Sequence, residues 1–168
     1  MHRYCAFYCE ENVWHLAGEA GFEDAWVVFV SNGSRQVPMY AQRAGAGDWV
    51  VWDYHVFLLQ HGEVWDLDTT LGLPVGLTGY ITTSFAKLAA LRPELVPLFR
   101  VVRASTFRRR FRSDRSHMRT ADGGWTHPPP AWPTIAAGGK SNLMRWVDMS
   151  RPFLGEVVEM ADLARNFS

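Results

Sequence analysis

The sequence predicts an α+β fold, a largely antiparallel sheet flanked by helices. Three observations carry this. A helical pattern comes first in the chain. Most later ordered segments are short strand-like runs. Turn signals, not regular helices, separate those runs, so the alternation that a parallel sheet needs is missing.

Taken in order, Glu10 to Ala20 reads as a helix, because Val13, Trp14, Leu16, Ala17 and Ala20 recur at helical spacing. Glu10 and Glu11 fall in its first turn, where acids suit the dipole, and Gly21 is a natural stop. Ala25 to Ser31 (AWVVFVS) is a near-continuous apolar run and predicts a buried strand. After the turn signal SNGS, Gln36 to Gln42 predicts a second strand, with Pro38 placing it at an edge or a strand start. RAGAGD is a loop. Trp49 to Gln60 (WVVWDYHVFLLQ) is the most strand-like stretch, and Glu63 to Thr69 returns as its partner across a His61-Gly62 turn. Thr83 to Leu91 reads as helix, ending before Pro93, and Phe99 to Ala104 as strand. Ser105 to Thr126 is polar and arginine-rich, and HPPPAWP (127–133) excludes regular structure. Ser141 is placed to cap a short helix reaching Met149. A strand over Glu156 to Met160 and a helical turn over Ala161 to Phe167 close the chain.

The 168 residues fit one domain, 1–168, with no repeat and no linker between two compositions. Hydrophobic residues make up 48% and aromatics 14%, enough for a real core. The formal net charge of zero asks for neither nucleic acid nor an anionic membrane. No apolar run approaches the roughly 20 residues of a membrane span, and MHRYCAFYCEEN lacks the apolar stretch of a signal peptide. Two cysteines four residues apart, Cys5 and Cys9, do not form a disulfide framework. Reduced thiols point to the cytoplasm or nucleus.

The chemistry concentrates on three residues. With a two-residue turn at His61-Gly62, Gln60 faces Glu63, and continued pairing sets His55 opposite Asp68, with Asp66 two residues along on the same face. A histidine beside a carboxylate is the base and orienter of a nucleophilic triad. Cys9, at a helix start, is the candidate nucleophile, because the helix N-terminus and a nearby imidazolium lower a thiol pKa. Glu10 and Glu11 oppose that lowering unless they point away. Cys5 precedes the helix and lacks this argument. The alternative is a buried, inert Cys9 in a non-catalytic binding module. Spacing alone leaves the choice between Asp66 and Asp68 open.

Five segments, YCEEN (8–12), WDYHV (52–56), DLDT (66–69), SDRSHM (113–118) and PPP (128–130), follow one another in the order and spacing of the protein N-terminal glutamine amidohydrolase family, which the chain closely resembles from Tyr8 to its last strand. The resemblance implies a papain- or transglutaminase-like fold and a catalytic triad of Cys9, His55 and Asp66. It implies hydrolysis of the side-chain amide of an N-terminal glutamine through a thioester, in a monomer needing no cofactor. Its product would serve degradation signalling. Its partner would be the N-terminal segment of a protein or peptide beginning with Gln. A papain-like protease or a transglutaminase would use the same three groups. Recognition of a free α-ammonium calls for acids, and Glu10, Asp53, Asp68 and Asp114 are candidates. His117 lies in the SDRSHM segment, which borders or supports the site. Trp52, Tyr54 and Trp65 are candidate walls, although aromatics in strands more often serve the core.

Other signals carry less. Fifteen of the 17 basic residues are arginine, with a cluster at 108–115, but no aromatic interleaving suggests base stacking. AAGGKS (136–141) lacks the first glycine and the preceding strand of a phosphate-binding loop. The histidines and cysteines have no zinc spacing. HPPPAWP suits an ordered loop packed with Trp132 better than a polyproline ligand.

Overall fold

The computed structural model describes residues 2–45, 49–87, 92–136 and 138–167. Among the described residues there are eight strands, β1 (Trp26–Ser31), β2 (Val37–Met39), β3 (Val50–Trp52), β4 (His55–Gln60), β5 (Glu63–Trp65), β6 (Val75–Gly76), β7 (Leu98–Arg103) and β8 (Glu156–Val158). Five helices accompany them: α1 (Cys9–Leu16), α2 (Leu77–Ser84), α3 (Ala104–Arg110), α4 (Leu143–Val147) and α5 (Met160–Phe167). Six strands form an antiparallel sheet in the order β6-β5-β4-β1-β7-β8, and β2 and β3 form a separate ribbon.

The sheet is covered on both sides, which explains the unbroken apolar runs of β1 and β4. Val27, Phe29, Val56, Leu58 and Val102 face one way and pack with Val13 and Leu16 of α1, Phe107 of α3 and Leu143 and Trp146 of α4. Val28, Val30, Phe57, Leu59, Phe99 and Val101 face the other way, toward Leu77 and Tyr80 of α2 and Leu163 of α5. Alternate residues of one strand thus feed two cores.

The His61-Gly62 hairpin forms as predicted, with both turn residues at positive φ (50° and 74°), as a two-residue primed turn requires, and Gln60 opposite Glu63. The predicted long return strand does not. β5 stops at Trp65, and Asp66 leaves the ladder to cap the next turn, its Oδ1 accepting from the Asp68 amide at 2.9 Å and its carbonyl from Thr69. The predicted strand 49–60 is divided. Val50–Trp52 pairs with β2, the chain breaks at Asp53-Tyr54 with the Asp53 carbonyl held by Ser31 Oγ, and β4 starts at His55 opposite Val30. The break lets the neighbours Tyr54 and His55 both turn inward, at 5% and 0% exposure.

Helix boundaries moved for tertiary reasons. α1 ends at Leu16, before the predicted Ala20, because Arg108 donates to the Trp14 carbonyl at 2.9 Å, lies over the Trp14 ring and packs on Gly18. α2 begins six residues before the predicted Thr83, on Leu77, Tyr80 and Ser84 buried at helical spacing. Of the helix predicted to reach Leu91, residues 88–91 lie outside the described residues, as do 46–48 of the RAGAGD loop. α3 falls in the segment read as polar, and its inward face is Ala104, Phe107 and the adjoining Phe111. Pro38 sits at an edge, in the ribbon opposite Val51.

One buried ion pair ties the first helix to the proline-rich segment. Glu11 is fully buried, and Arg115 meets both of its oxygens, Nε at 2.8 Å from Oε1 and Nη2 at 2.7 Å from Oε2. The same guanidinium donates to the carbonyls of Pro130 and Trp132, and the Trp132 indole donates to Glu11 at 2.7 Å. Arg115 has a left-handed backbone (φ 62°), held by these contacts.

Replacing Arg115 with Met strands a buried carboxylate and two carbonyls, and should lower unfolding free energy by about 3–5 kcal/mol in urea titration. Arg165→Ala, which breaks the exposed pair with Asp162, should leave the midpoint nearly unchanged. Equal effects would mean that the buried pair is no structural anchor.

Candidate active site

The chain reaches α1 through Phe7 in a left-handed conformation (φ 67°), which turns Tyr8 into the protein and makes Cys9 the first helical residue. Cys9 is 8% exposed and lines a cleft of about 260 Å³ together with His55 and Asp68. That space suits a single side chain better than a drug-sized molecule. Trp52, Asp53, Tyr54 and His117 also line the cleft.

His55 lines the cleft and pairs with Asp66, which lies outside the lining. His55 Nε2 lies 2.9 Å from Asp66 Oδ1, and both side chains are 1% exposed. Oδ2 of Asp66 accepts from Gln42 Nε2 at 3.0 Å and from the Tyr80 hydroxyl at 2.9 Å. Burial pushes the Asp66 carboxyl up, but the imidazole and these donors outweigh it and hold its pKa below the usual carboxylate value. The same balance runs the other way at His55, where burial works against the cation and Asp66 more than compensates, so its pKa is raised. A carboxylate can only accept, so Nε2 carries the proton. Nδ1 is then the imidazole's free position, buried and without a partner among the described residues. The Trp52 ring stacks on the imidazole at 5.6 Å.

The thiol differs from the sequence expectation. Burial, then Glu10 and Asp68, push the Cys9 pKa well up, while the Val56 amide bonded to the sulfur pulls it down. The thiol therefore keeps its proton at rest, and the helix start does not prevail. Glu10 does not point away. It is fully buried, with Cys9 Sγ 3.8 Å from Oε2, Tyr54 donating to Oε2 at 3.0 Å, and His117 Nε2 3.6 Å from Oε1. Burial drives its pKa to about 8. Burial also pushes His117 down.

The other predicted residues divide. Asp53 is half exposed and pairs with Arg35 at 3.3 Å. Asp68 is buried, and its Oδ1 accepts from Tyr4 at 2.7 Å. Asp114 does not line the cleft; its carboxylate holds the Ser116 and Ser141 amides, because the local turn claims it. Trp65 packs on Phe22 and His2 away from the cleft. Cys5 is also outside the lining, with its sulfur against the Pro128 carbonyl. The reading from sequence missed Phe7, Met118, Thr126 and His127 as walls, and Gln42, Tyr80 and Tyr4 as supports of the two aspartates. Phe7 stacks on His127 at 3.6 Å. Only the SDRSHM segment and the adjoining prolines hinted at this rim.

His55, Asp66 and Asp68 bring three ligand-type atoms within 4.8 Å of one another. Asp66 has both oxygens committed to hydrogen-bond donors, one of them the imidazole, so the group is a hydrogen-bonded pair beside a second acid before it is a metal site. A thiol, an imidazole with one free nitrogen and a fixed carboxylate are the parts that nucleophilic acyl transfer requires.

Comparison with known proteins agrees with this class. Residues 4–167 match the protein family described as N-terminal glutamine amidase. The chain is 41% identical to the protein N-terminal glutamine amidohydrolase of Drosophila melanogaster, over 98% of its own length and 87% of that protein. It is 45% identical to the protein of the same name from Drosophila ananassae, over 79% of its length and 71% of that protein. The Drosophila grimshawi protein is 40% identical, with coverage of 98% and 87%. The chain belongs to the N-terminal glutamine amidase family.

Glu10 makes stability depend on pH. Its folded pKa of about 8 exceeds the ordinary 4.5. The folded chain thus holds a proton that the unfolded chain has lost. That contribution is full below about 4.5 and disappears as pH climbs through about 8. Glu10→Gln stays neutral throughout. Its melting temperature should gain on wild type by roughly 10 °C between pH 5 and pH 8.5. A constant difference across that range would show that Glu10 ionises normally.

Proposed function

We propose that this chain hydrolyses the side-chain amide of an N-terminal glutamine to glutamate and ammonia, with Cys9 as nucleophile, His55 as general base and acid, and Asp66 as the group that orients His55. The observation that carries the reading is the pairing of His55 Nε2 with Asp66, which leaves Nδ1 without a partner among the described residues on a side chain that lines the same cleft as Cys9. Family membership supplies the substrate class. A helix-borne thiol facing a strand-borne imidazole, with a carboxylate just past the neighbouring strand, is also what a papain- or transglutaminase-like arrangement would present.

The electrostatics define the first step. The thiol is protonated at rest, so attack is coupled to proton transfer. His55 Nδ1 takes the thiol proton as the sulfur bonds to the amide carbon, and Asp66 stabilises the imidazolium. The amide of Cys9, the first helical residue, has no helical acceptor and is placed to stabilise the oxyanion. Collapse of the tetrahedral species breaks the C–N bond. His55 returns the proton to the leaving nitrogen, ammonia departs, and a thioester remains. His55 then deprotonates a water molecule that attacks the thioester, releasing glutamate and restoring the thiol. Two free thiols suit a reducing compartment, the cytoplasm or nucleus.

Mass spectrometry of a Gln-initiated peptide tests this, beside an N-acetylated control and a peptide with internal Gln alone. Wild type should convert only the free terminal Gln. Cys9→Ala should abolish conversion, and Asp66→Asn should lower kcat by about 10²–10⁴-fold. No conversion by folded wild type, or undiminished conversion by Cys9→Ala, would sink the assignment. Incorporation of an added amine in place of water would redirect it to acyl transfer.

A further inference from the structure

A terminal glutamine differs from an internal one by its α-ammonium, so a site for it must offer an anion that no protein cation already occupies. The cleft is lined by two acids, Asp53 and Asp68. Asp53 is half exposed and already engaged by Arg35. Glu10 lies outside the lining, its Oε2 taken by Tyr54 and the thiol and its Oε1 3.6 Å from His117 Nε2, and Asp66 is saturated by its donors. Asp68 combines a place in the lining with the absence of an Arg or Lys partner. It is 5% exposed and lines the cleft beside Cys9 and His55. Among the described residues no Lys or Arg nitrogen comes within 4.0 Å of its carboxylate. Its backbone is pinned from both sides, the amide to Asp66 Oδ1 at 2.9 Å and the carbonyl to the Arg43 amide at 2.8 Å. The Tyr4 hydroxyl fixes one carboxylate oxygen at 2.7 Å, leaving the other for a donor.

A second observation completes the match. Trp52, also in the lining, buries its indole N–H with no acceptor among the described residues. Two residues of the lining thus offer an acid with no Lys or Arg partner and a buried donor with no acceptor, among the described residues. An N-terminal residue brings an ammonium and a carbonyl, the complement of both. Burial raises the Asp68 pKa by more than His55, the Tyr4 hydroxyl and the more distant Arg43 lower it.

We infer that Asp68 is the specificity residue of the site: its carboxylate, oriented by Tyr4, binds the α-ammonium of the substrate and so restricts the reaction to chain termini. The inference rests on the glutamine reading above. It assigns Asp68 to substrate recognition rather than to support of His55.

Binding to the inactive Cys9→Ala protein tests it without turnover. Two ligands are compared by calorimetry, a Gln-initiated peptide and its glutaramoyl counterpart, which keeps the side-chain amide but has hydrogen in place of the α-amino group. Cys9→Ala should bind the Gln peptide at least about tenfold more tightly. Adding Asp68→Asn should cancel that preference, while adding Asp53→Asn should preserve it. No preference in Cys9→Ala, or a preference that survives Asp68→Asn, would overturn the inference. Should Asp68→Asn fail to fold, Tyr4→Phe in the Cys9→Ala background gives the same readout, since it removes only the orienting hydroxyl. A preference narrowed about threefold supports the assignment, and an unchanged one overturns it. Failure of the glutamine reading shows separately, as absence of turnover by wild type.

Discussion

The Glu11–Arg115 pair is the constraint on which the rest of the site depends. α1 alone places Cys9 on one wall of the cleft, and β4 places His55 on another. The remaining rim, from His117 to His127, has little regular structure to hold it. Arg115 reaches from the start of that segment to α1 and, with the same guanidinium, to carbonyls at its end. Tyr8, just before Cys9, donates to the His127 carbonyl and closes the loop from the other side. Such a pair adds little net stability over a well-packed apolar alternative, because two charges are taken out of water. Its contribution is geometric: one orientation of loop against helix satisfies all of its bonds.

Two adjacent glutamates show how strongly partners govern a buried acid. Glu10 and Glu11 are both fully buried on the first turn of the same helix. Glu11 receives a bidentate guanidinium and an indole N–H. Glu10 receives a phenol and a thiol, with an imidazole farther off, and its pKa climbs to about 8. A neutral carboxyl beside Cys9 is easier on a forming thiolate than a carboxylate would be, so the helix tolerates an acid next to its thiol.

Much of the fold was legible in the sequence because its signals are local. The His61-Gly62 turn fixes the β4–β5 register through two residues at positive φ, and the double-sided burial of β1 follows from its unbroken valine-rich run. The failures are places where tertiary contacts overrule local pattern. Residues 49–60 are strand-like on both sides of Asp53-Tyr54, and nothing in that dipeptide announces a break. α2 contains Gly79 and three threonines, poor helix formers, and forms because Leu77 and Tyr80 are buried. α3 hid its Ala104, Phe107 and Phe111 stripe among arginines. The same division holds at the candidate site. Hairpin geometry pointed to His55 and its two aspartates, although the ladder ends at Trp65 before reaching either, and it did not distinguish between the aspartates. Gln42 and Tyr80, on other elements, supply the donors that Asp66 has and Asp68 lacks. The acid at Asp114 looked equivalent to the others until its turn claimed it.

The segment 127–133 has a consequence of a different kind. Four of its seven residues are proline, so it carries only three backbone amides. It is held through its carbonyls, to which Tyr8, Cys5 and Arg115 all donate. Amide hydrogen exchange is therefore nearly blind to this rim, and a quiet exchange map would say nothing about its motion. The natural reporter is Trp132, whose indole touches the Glu11 carboxylate; its emission registers any loosening of the loop from the helix that bears Cys9.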